Sequence, residues 1–209
     1  MASQVVRING ADNWTMAIFL PVKMIGKVED VLAPIFQGGF EVFVWTKTNH
    51  HTQDAGNHLG SCVEHILLCY YAKGGTRLRE HYNYAPDESR QDFLGCRVPR
   101  SFYYNGSPVN RTQKPMMLIS HLILHFSVEG SWVLDLCAGS GTTSHCAMLN
   151  LRHFVAVEMD PLQFQACVHR VEACPDFDDR TFPQDNEDDE DEEEGEGEGE
   201  GDEEGESDK

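Results

Sequence analysis

The sequence has no long hydrophobic run, and this absence excludes one class of protein. No apolar stretch in its 209 residues approaches the roughly 18 residues that a helix needs to cross a bilayer. An apolar leader of the secretory type is also missing. The seven cysteines include no Cys-x-x-Cys pair, a pattern typical of reduced thiols rather than of a disulfide framework. We therefore expect an intracellular protein, not secreted, in the nucleus or the cytoplasm.

Metal-ligand patterns are equally scarce. His58, Cys62, His65 and Cys69 are ligand types at short spacing, but residues 63–71 are predicted to form a strand. Successive side chains of a strand point to opposite faces, so His65 and Cys69 would face away from Cys62. We therefore expect no metal site.

Basic residues are few, since 16 Lys and Arg stand against 35 Asp and Glu, giving a net charge of −19. Residues 176–209 hold 20 of the acidic residues and only 2 basic ones, which leaves the remainder nearly neutral. From residue 185 onward this segment has no apolar side chain and alternates Glu with Gly. Such a composition predicts a disordered acidic tail. The tail has two open interpretations: a solubilising segment, or a competitor of nucleic acid for a basic site.

What the sequence does contain is an alternation of strands and helices. Short apolar runs predict strands, and apolar positions spaced by three and four predict helices. The predicted strands are 14–20, 39–47, 63–71, 132–136 and 153–158. The predicted helices are 27–36, 114–127, 142–150 and 161–172, with Pro115 in the first turn of the second and Asp160 capping the last. The alternation favours an α/β fold with a mostly parallel sheet covered by helices on both faces.

The stretch "WVLDLCAGSGTTSHCA" at 132–147 has the pattern of a ligand-binding turn. A strand ending near Asp135 leads into a loop of small residues and then into a helix. Such a turn lies at the carboxyl edge of an α/β sheet, where ligands bind and where a helix amino terminus offers free N–H groups. Glu158 ends the next strand, where an acidic side chain can accept both hydroxyls of a ribose. The arrangement predicts a site for an adenosine-containing ligand.

The local pattern narrows the ligand class. A dinucleotide fingerprint would have a third glycine at position 144, which is Ser144, and a P-loop would have Gly-Lys-Ser/Thr, which is absent. A ligand with one nucleoside and a small zwitterion fits better. A nicotinamide-dependent oxidoreductase is the alternative that these residues argue against.

The segment 110–171 closely resembles the cofactor half of the amino-methylating DNA methyltransferases, which modify adenine N6 or cytosine N4. The resemblance rests on Gln113-Lys114-Pro115, Asp135, the loop Gly139-Ser140-Gly141-Thr142-Thr143, Glu158 and Asp160-Pro161, in this order. Residues 39–51 and 63–75 are similar to later strands of the family's catalytic half. The order of the motifs resembles the permuted group in which the cofactor motifs come last. The resemblance implies a Rossmann-like methyltransferase sheet, incomplete in this chain.

The same resemblance implies S-adenosylmethionine as the cofactor and DNA as the partner, with RNA left open. The implied cofactor-binding residues are Lys114, Pro115, Asp135, Ala138, Gly139, Ser140, Gly141, Thr142, Glu158 and Met159. It also implies that residues 1–175, which precede the acidic tail 176–209, form a methyltransferase-like domain. Within the domain, 14–72 are a remnant of the catalytic half, 73–113 a target-recognition insertion and 114–175 the cofactor-binding half.

The catalytic motif of that family, Asp/Asn-Pro-Pro-Tyr/Trp, occurs nowhere in the 209 residues. Its polar side chain and a proline carbonyl would accept hydrogen bonds from the target amine, and its aromatic ring would stack on the flipped base. No catalytic residue is therefore assigned. The missing segment would include the central strand beside 132–136. The chain is expected either to be incomplete or to need another subunit.

Segment 73–114 has the composition of a nucleic-acid surface. It carries a net charge of +4 and interleaves arginines with Tyr and Phe, cations for phosphates and rings for unstacked bases. The candidate contacts are Arg77, Arg79, Arg90, Arg97, Arg100 and Arg111. An ordinary surface loop with core anchors is the alternative.

Two function classes follow for the chain. The first is an S-adenosylmethionine-dependent methyltransferase acting on an exocyclic amino group of DNA. The second is a non-catalytic partner subunit that binds cofactor or nucleic acid and supports an active methyltransferase.

Overall fold

The computed structural model describes residues 13–49, 62–74 and 91–174. The tail 176–209 and the arginines Arg77, Arg79 and Arg90 lie outside these ranges, so the predictions made for them are untested. The described strands are β1 Asn13–Leu20, β2 Phe40–Lys47, β3 Val63–Ala72, β4 Phe93–Cys96, β5 Phe102–Tyr104, β6 Ser107–Asn110, β7 Trp132–Asp135 and β8 His153–Ala156. The helices are α1 Ile25–Leu32, α2 Met116–Phe126, α3 Thr142–Leu149 and α4 Pro161–Glu172. Among these, no helix is long and apolar enough to cross a membrane.

The strands form two main sheets and a hairpin. The first sheet has the order β1-β3-β2-β4, and the second consists of β7 and β8. The strands β7 and β8 pair in parallel, as predicted. The strand β3, however, runs antiparallel to both β1 and β2. The prediction of a mostly parallel sheet is therefore wrong for the first sheet, because a strand buried on both faces has the same apolar sequence in either direction.

Two helices differ from their predicted bounds. The helix α1 ends at Leu32 rather than at residue 36, because Pro34 has no N–H to donate to the carbonyl four residues earlier and so interrupts the hydrogen bonds of the helix. Ile35 and Phe36 still pack beneath the first sheet, whereas Val31 is exposed. In α2, Pro115 is the extended residue that caps the helix rather than a member of its first turn.

The stretch 91–113 is more regular than its sequence pattern predicts. It contains β4, which pairs in parallel with β2 at the edge of the first sheet. It also contains the β5–β6 hairpin, which turns through Asn105 and Gly106, both at positive φ. These strands have only three or four residues each, which is too few for an alternation of apolar and polar residues to be recognised in the sequence.

Helix α2 lies beneath both sheets. Leu118 and Leu122 belong to the core of the first sheet, while Ile119 and Ile123 pack with α3 and with Val133 of β7. Phe19 of β1 packs against both groups. The strands β1 and β7 thus share one supporting helix, yet within the described ranges β1 pairs only with β3 and β7 only with β8.

Candidate cofactor site

The loop between β7 and α3 has a backbone that requires glycine at two positions. Gly139 and Gly141 have φ angles of +55° and +83°, in the left-handed region. Gly141 caps α3, and a Cβ at this position would lie 2.6 Å from Cys167 Sγ and 3.0 Å from its Cα. Only glycine allows this turn together with so close an approach of α4.

Glu158 closes the loop from the end of β8. Its two carboxylate oxygens accept hydrogen bonds from the N–H of Gly139, at 2.7 Å, and from the N–H of Asp160, at 2.8 Å. The N–H of Ala138 donates to the carbonyl of Val157 at 3.0 Å. The predicted neighbourhood of Glu158 and the glycine loop is therefore present in the structure.

Asp135 and Asp160 organise the turns on either side. The Oδ1 atom of Asp135 accepts the N–H of Cys137 at 2.9 Å, which fixes the first turn of the loop. The Oδ1 atom of Asp160 accepts the N–H groups of Leu162 and Gln163, both at 2.9 Å. The predicted amino-terminal cap of α4 is thus confirmed.

The remaining loop residues differ in exposure. Ser140 and Thr142 are buried. Met159, next to Glu158, has 95% of its surface exposed. Its predicted contact with a cofactor stays a prediction.

Lys114 and Pro115 lie at the start of α2, and the contacts of Lys114 are with the first sheet. The Lys114 Nζ atom lies 2.8 Å from Glu64 Oε2 and 5.1 Å from the centre of the Phe19 ring. Lys47 Nζ lies 3.0 Å from the other oxygen of Glu64. The predicted contact of Lys114 and Pro115 with a cofactor stays a prediction.

The charge of Glu64 reflects these neighbours. Burial by itself raises the pKa of the Glu64 carboxyl, but the hydrogen bonds and positive charges of Lys114 and Lys47 outweigh burial and leave that pKa below its ordinary value. The carboxylate therefore stays ionised between the two lysines.

Two side chains that no sequence pattern marked also meet the loop. Asn110 Nδ2 donates to Ser140 Oγ at 3.2 Å, and a Cβ on Gly139 would lie 2.8 Å from the same Nδ2. The guanidinium of Arg170 reaches the loop from α4 and stacks over the Phe102 ring at 4.3 Å. These contacts join elements that are far apart in the sequence, so no local sequence pattern predicts them.

The nucleic-acid candidates within the described ranges have mixed roles. Arg97, Arg100 and Arg111 are exposed, and so are the rings of Phe93 and Tyr103. Phe102 and Tyr104, in contrast, pack against Arg170 and His169 of α4. Part of the aromatic pattern therefore holds the hairpin in place instead of facing solvent.

The described ranges contain no group of three or more His, Cys, Asp or Glu side chains placed to hold a metal ion. Cys69, one of the residues weighed as a ligand, is buried in β3, and burial raises its pKa to about 12.

Comparisons with known proteins place this geometry among methyltransferases. The sequence model of the N6/N4 family, described as DNA methylase, matches residues 3–168. The type II methyltransferase M2.DpnII of Streptococcus pneumoniae is 27% identical over 147 residues, which are 66% of this chain and 53% of that protein. M2.LlaDCHI of Lactococcus lactis is 27% identical over 134 residues, which are 59% of this chain and 48% of that one. The chain spans about half the length of the curated relatives it matches.

Solved structures share the fold. The M1.HpyAVI–SAM complex superposes with a TM-score of 0.64 at 21% identity, covering 81% of each chain. The cytosine-N4-specific PvuII DNA methyltransferase superposes with a TM-score of 0.57 at 14% identity, covering 76% of this chain and 63% of that one. The fold is therefore the predicted Rossmann-like α/β arrangement of methyltransferases.

Proposed function

The chain belongs to the N6/N4 DNA methylase family, and we propose that it binds S-adenosylmethionine between the glycine loop 138–142 and Glu158. We further propose that the bound cofactor serves methyl transfer to an exocyclic amino group of adenine or cytosine in DNA. The observation that carries the proposal is the hydrogen bond from the N–H of Gly139 to Glu158, which joins the loop to the acidic side chain at the end of β8.

The residues fit such a ligand. The left-handed glycines shape the loop backbone, and the hydrogen bond from Gly139 to Glu158 holds that backbone next to the acidic side chain. Each carboxylate oxygen of Glu158 accepts one hydrogen bond from the backbone, and each has a further lone pair that can accept a ribose hydroxyl. The first-turn N–H groups of α3 favour a carboxylate, and the exposed Met159 offers an apolar surface beside the ribose position. S-adenosylmethionine would supply the activated methyl group.

A comparison of ligands tests the cofactor class. The melting temperature of the chain should rise with S-adenosylmethionine and its demethylated product, because a ligand that binds only the folded state stabilises it. NAD should leave the melting temperature unchanged. A rise with NAD alone would favour the oxidoreductase alternative instead.

A second candidate, a non-catalytic subunit of a methyltransferase complex, is favoured by the second sheet. Trp132, Leu134 and Leu136 follow one face of β7 and its extension with 64%, 41% and 51% of their surfaces exposed, and Val155 continues this face on β8. Contiguous exposed apolar side chains mark interaction sites. A partner that carries the Pro-Pro-aromatic element would cover this face and supply the groups that grip the base.

Methyl transfer separates the two candidates. Rapid transfer requires the amine nitrogen in line with the methyl group and an acceptor for the amine hydrogens. We expect no transfer when the purified chain is incubated with radiolabelled S-adenosylmethionine and mixed-sequence DNA, single- or double-stranded. Label above that of a variant with a bulky residue at Gly139 would show that the chain is an active enzyme by itself.

We also propose that the exposed arginines Arg97, Arg100 and Arg111, with the Phe93 and Tyr103 rings, contact DNA. Arginine binds phosphate and an exposed ring stacks on an unpaired base. Replacing the three arginines with Gln should weaken binding to single-stranded DNA and reduce its dependence on salt. Unchanged affinity at low ionic strength would support the alternative of an ordinary surface.

A further inference from the structure

Arg170 on α4 contacts the cofactor loop at its centre. Its Nη1 atom donates to the carbonyl of Ser140 at 3.3 Å and to Thr142 Oγ1 at 3.0 Å. Ser140 lies between the two left-handed glycines and is fully buried. Hydrogen bonds to the Ser140 carbonyl and to the Thr142 side chain therefore fix the loop backbone that is proposed to approach the ligand.

The other side of the same guanidinium contacts the β5–β6 hairpin and the segment before α2. The plane lies 4.3 Å from the centre of the Phe102 ring, and Nη2 donates to Gln113 Oε1 at 3.3 Å. The neighbouring His169 meets the Tyr104 ring edge to face, with the ring centres 5.4 Å apart. Two consecutive residues of α4 thus contact the two rings Phe102 and Tyr104 of β5.

The acceptors of the Arg170 hydrogen bonds are all uncharged. Within the described ranges no carboxylate forms an ion pair with it, and burial lowers the pKa of its guanidinium. A planar fork of donors can satisfy three separate acceptors while stacking on a ring, which a lysine ammonium cannot do. The side chain is therefore placed to join elements rather than to neutralise an acid.

We propose that Arg170 is a positioning residue that couples the cofactor loop to the β5–β6 hairpin, so that a ligand in the loop orders the hairpin. The opposite side of β5 presents Tyr103, with 62% of its surface exposed, and Asn110, across from Phe102 in the hairpin, donates directly to Ser140. A displacement of Ser140 therefore changes contacts of both β5 and β6. The inference rests on the proposed cofactor site and adds the link from that site to a solvent-facing surface.

Hydrogen exchange by mass spectrometry tests the coupling on the full chain, without and with saturating S-adenosylmethionine. The variants are R170Q, R170K and the control R152Q. Arg152 is a matched control, because its guanidinium donates to Ser127 Oγ at 3.0 Å and to the Ser127 carbonyl at 2.6 Å at the other end of α3. Calorimetry gives the cofactor affinity of each variant, and the melting temperature reports any loss of stability.

We expect cofactor to slow exchange of residues 102–110 in the wild type and in R152Q, and to slow it less in R170Q and R170K, where the hydrogen bond from Asn110 to Ser140 remains. Without cofactor, R170Q should already exchange faster than wild type in 102–110. The cofactor affinity of R170Q should fall roughly tenfold, which corresponds to a coupling free energy of about 1.4 kcal/mol between Arg170 and the cofactor. Faster exchange in R152Q equal to that in R170Q, or full protection in R170K, would overturn the inference. If the wild type bound no cofactor, the proposed function would fail, and the coupling with it. The measurement without ligand would still decide whether Arg170 holds the hairpin.

Discussion

At the scale of single residues, Gly141 carries two constraints that its neighbours share only in part. Its φ angle is in the left-handed region, and α4 leaves no room for a Cβ at this position. Gly130 has a similar φ of +76°, but nothing lies within 4 Å of a Cβ placed there. The pair separates backbone strain from steric contact with α4.

We expect G141A to lower the free energy of unfolding by more than G130A does. The left-handed conformation costs a non-glycine residue about 1–2 kcal/mol, which is the whole effect at Gly130. At Gly141 the contact with Cys167 adds to it. Urea denaturation measures both variants, and equal losses would show that α4 adjusts freely around an added methyl group.

Glu64 makes a prediction for pH at the same scale. Its pKa is lowered in the folded chain, so its contribution to stability is present above its unfolded pKa and is lost as the pH falls through its folded pKa. We expect E64Q to reduce the decrease in stability on acidification, relative to wild type. Urea denaturation near pH 7 and near pH 3 measures this decrease, with the exposed Glu172→Gln as control. A decrease in E64Q as large as in that control would contradict the role given to the two lysines.

At the scale of elements, sequence patterns predicted those features whose residues lie close together in the sequence. The strand, glycine loop, helix and following acid from 132 to 158 have signals within 30 residues, and Asp160 caps α4 as its position before Pro161 indicates. The antiparallel direction of β3 was not predictable, because burial on both faces removes any alternation. Arg170 and Asn110 were missed because their partners lie 28 or more residues away.

The helix α2 shows the same limit. Its sequence predicts one apolar face through Ile119, Leu122, Ile123 and Phe126, yet Leu118 is also completely buried. The reason lies in the tertiary packing. Because α2 packs against both sheets, more than one face of the helix is covered.

We expect L118A to lower the free energy of unfolding by about 2–5 kcal/mol, the usual cost of a cavity in a core. M117A, on the same helix with half of its side chain exposed, should change it by less than about 1 kcal/mol. Thermal or urea unfolding followed by tryptophan fluorescence measures both. A small effect of L118A would mean that α2 does not belong to the core of the first sheet.

At the scale of the whole molecule, the charge distribution bears on DNA binding. Residues 176–209 contribute nearly all of the −19 net charge, while the candidate DNA contacts are basic. We expect deletion of 176–209 to raise affinity for DNA at low ionic strength, with a smaller effect above roughly 0.2 M salt, where screening shortens the reach of charge. Fluorescence anisotropy with labelled DNA measures this. The same affinity with and without the segment at low salt would leave solubility as its role.

Calorimetric titration with S-adenosylmethionine tests the proposed cofactor site between the glycine loop and Glu158 most directly. The variants are E158A, E158Q and a bulky substitution of Gly139, with the exposed Glu172→Ala as control and melting temperatures to confirm folding. We predict that E158A loses about 1–3 kcal/mol of binding free energy, because the ribose hydroxyls lose a charged acceptor. E158Q should lose less, the Gly139 variant should not bind, and E172A should bind as wild type does. Wild-type affinity in folded E158A and Gly139 variants would contradict the assignment of the site.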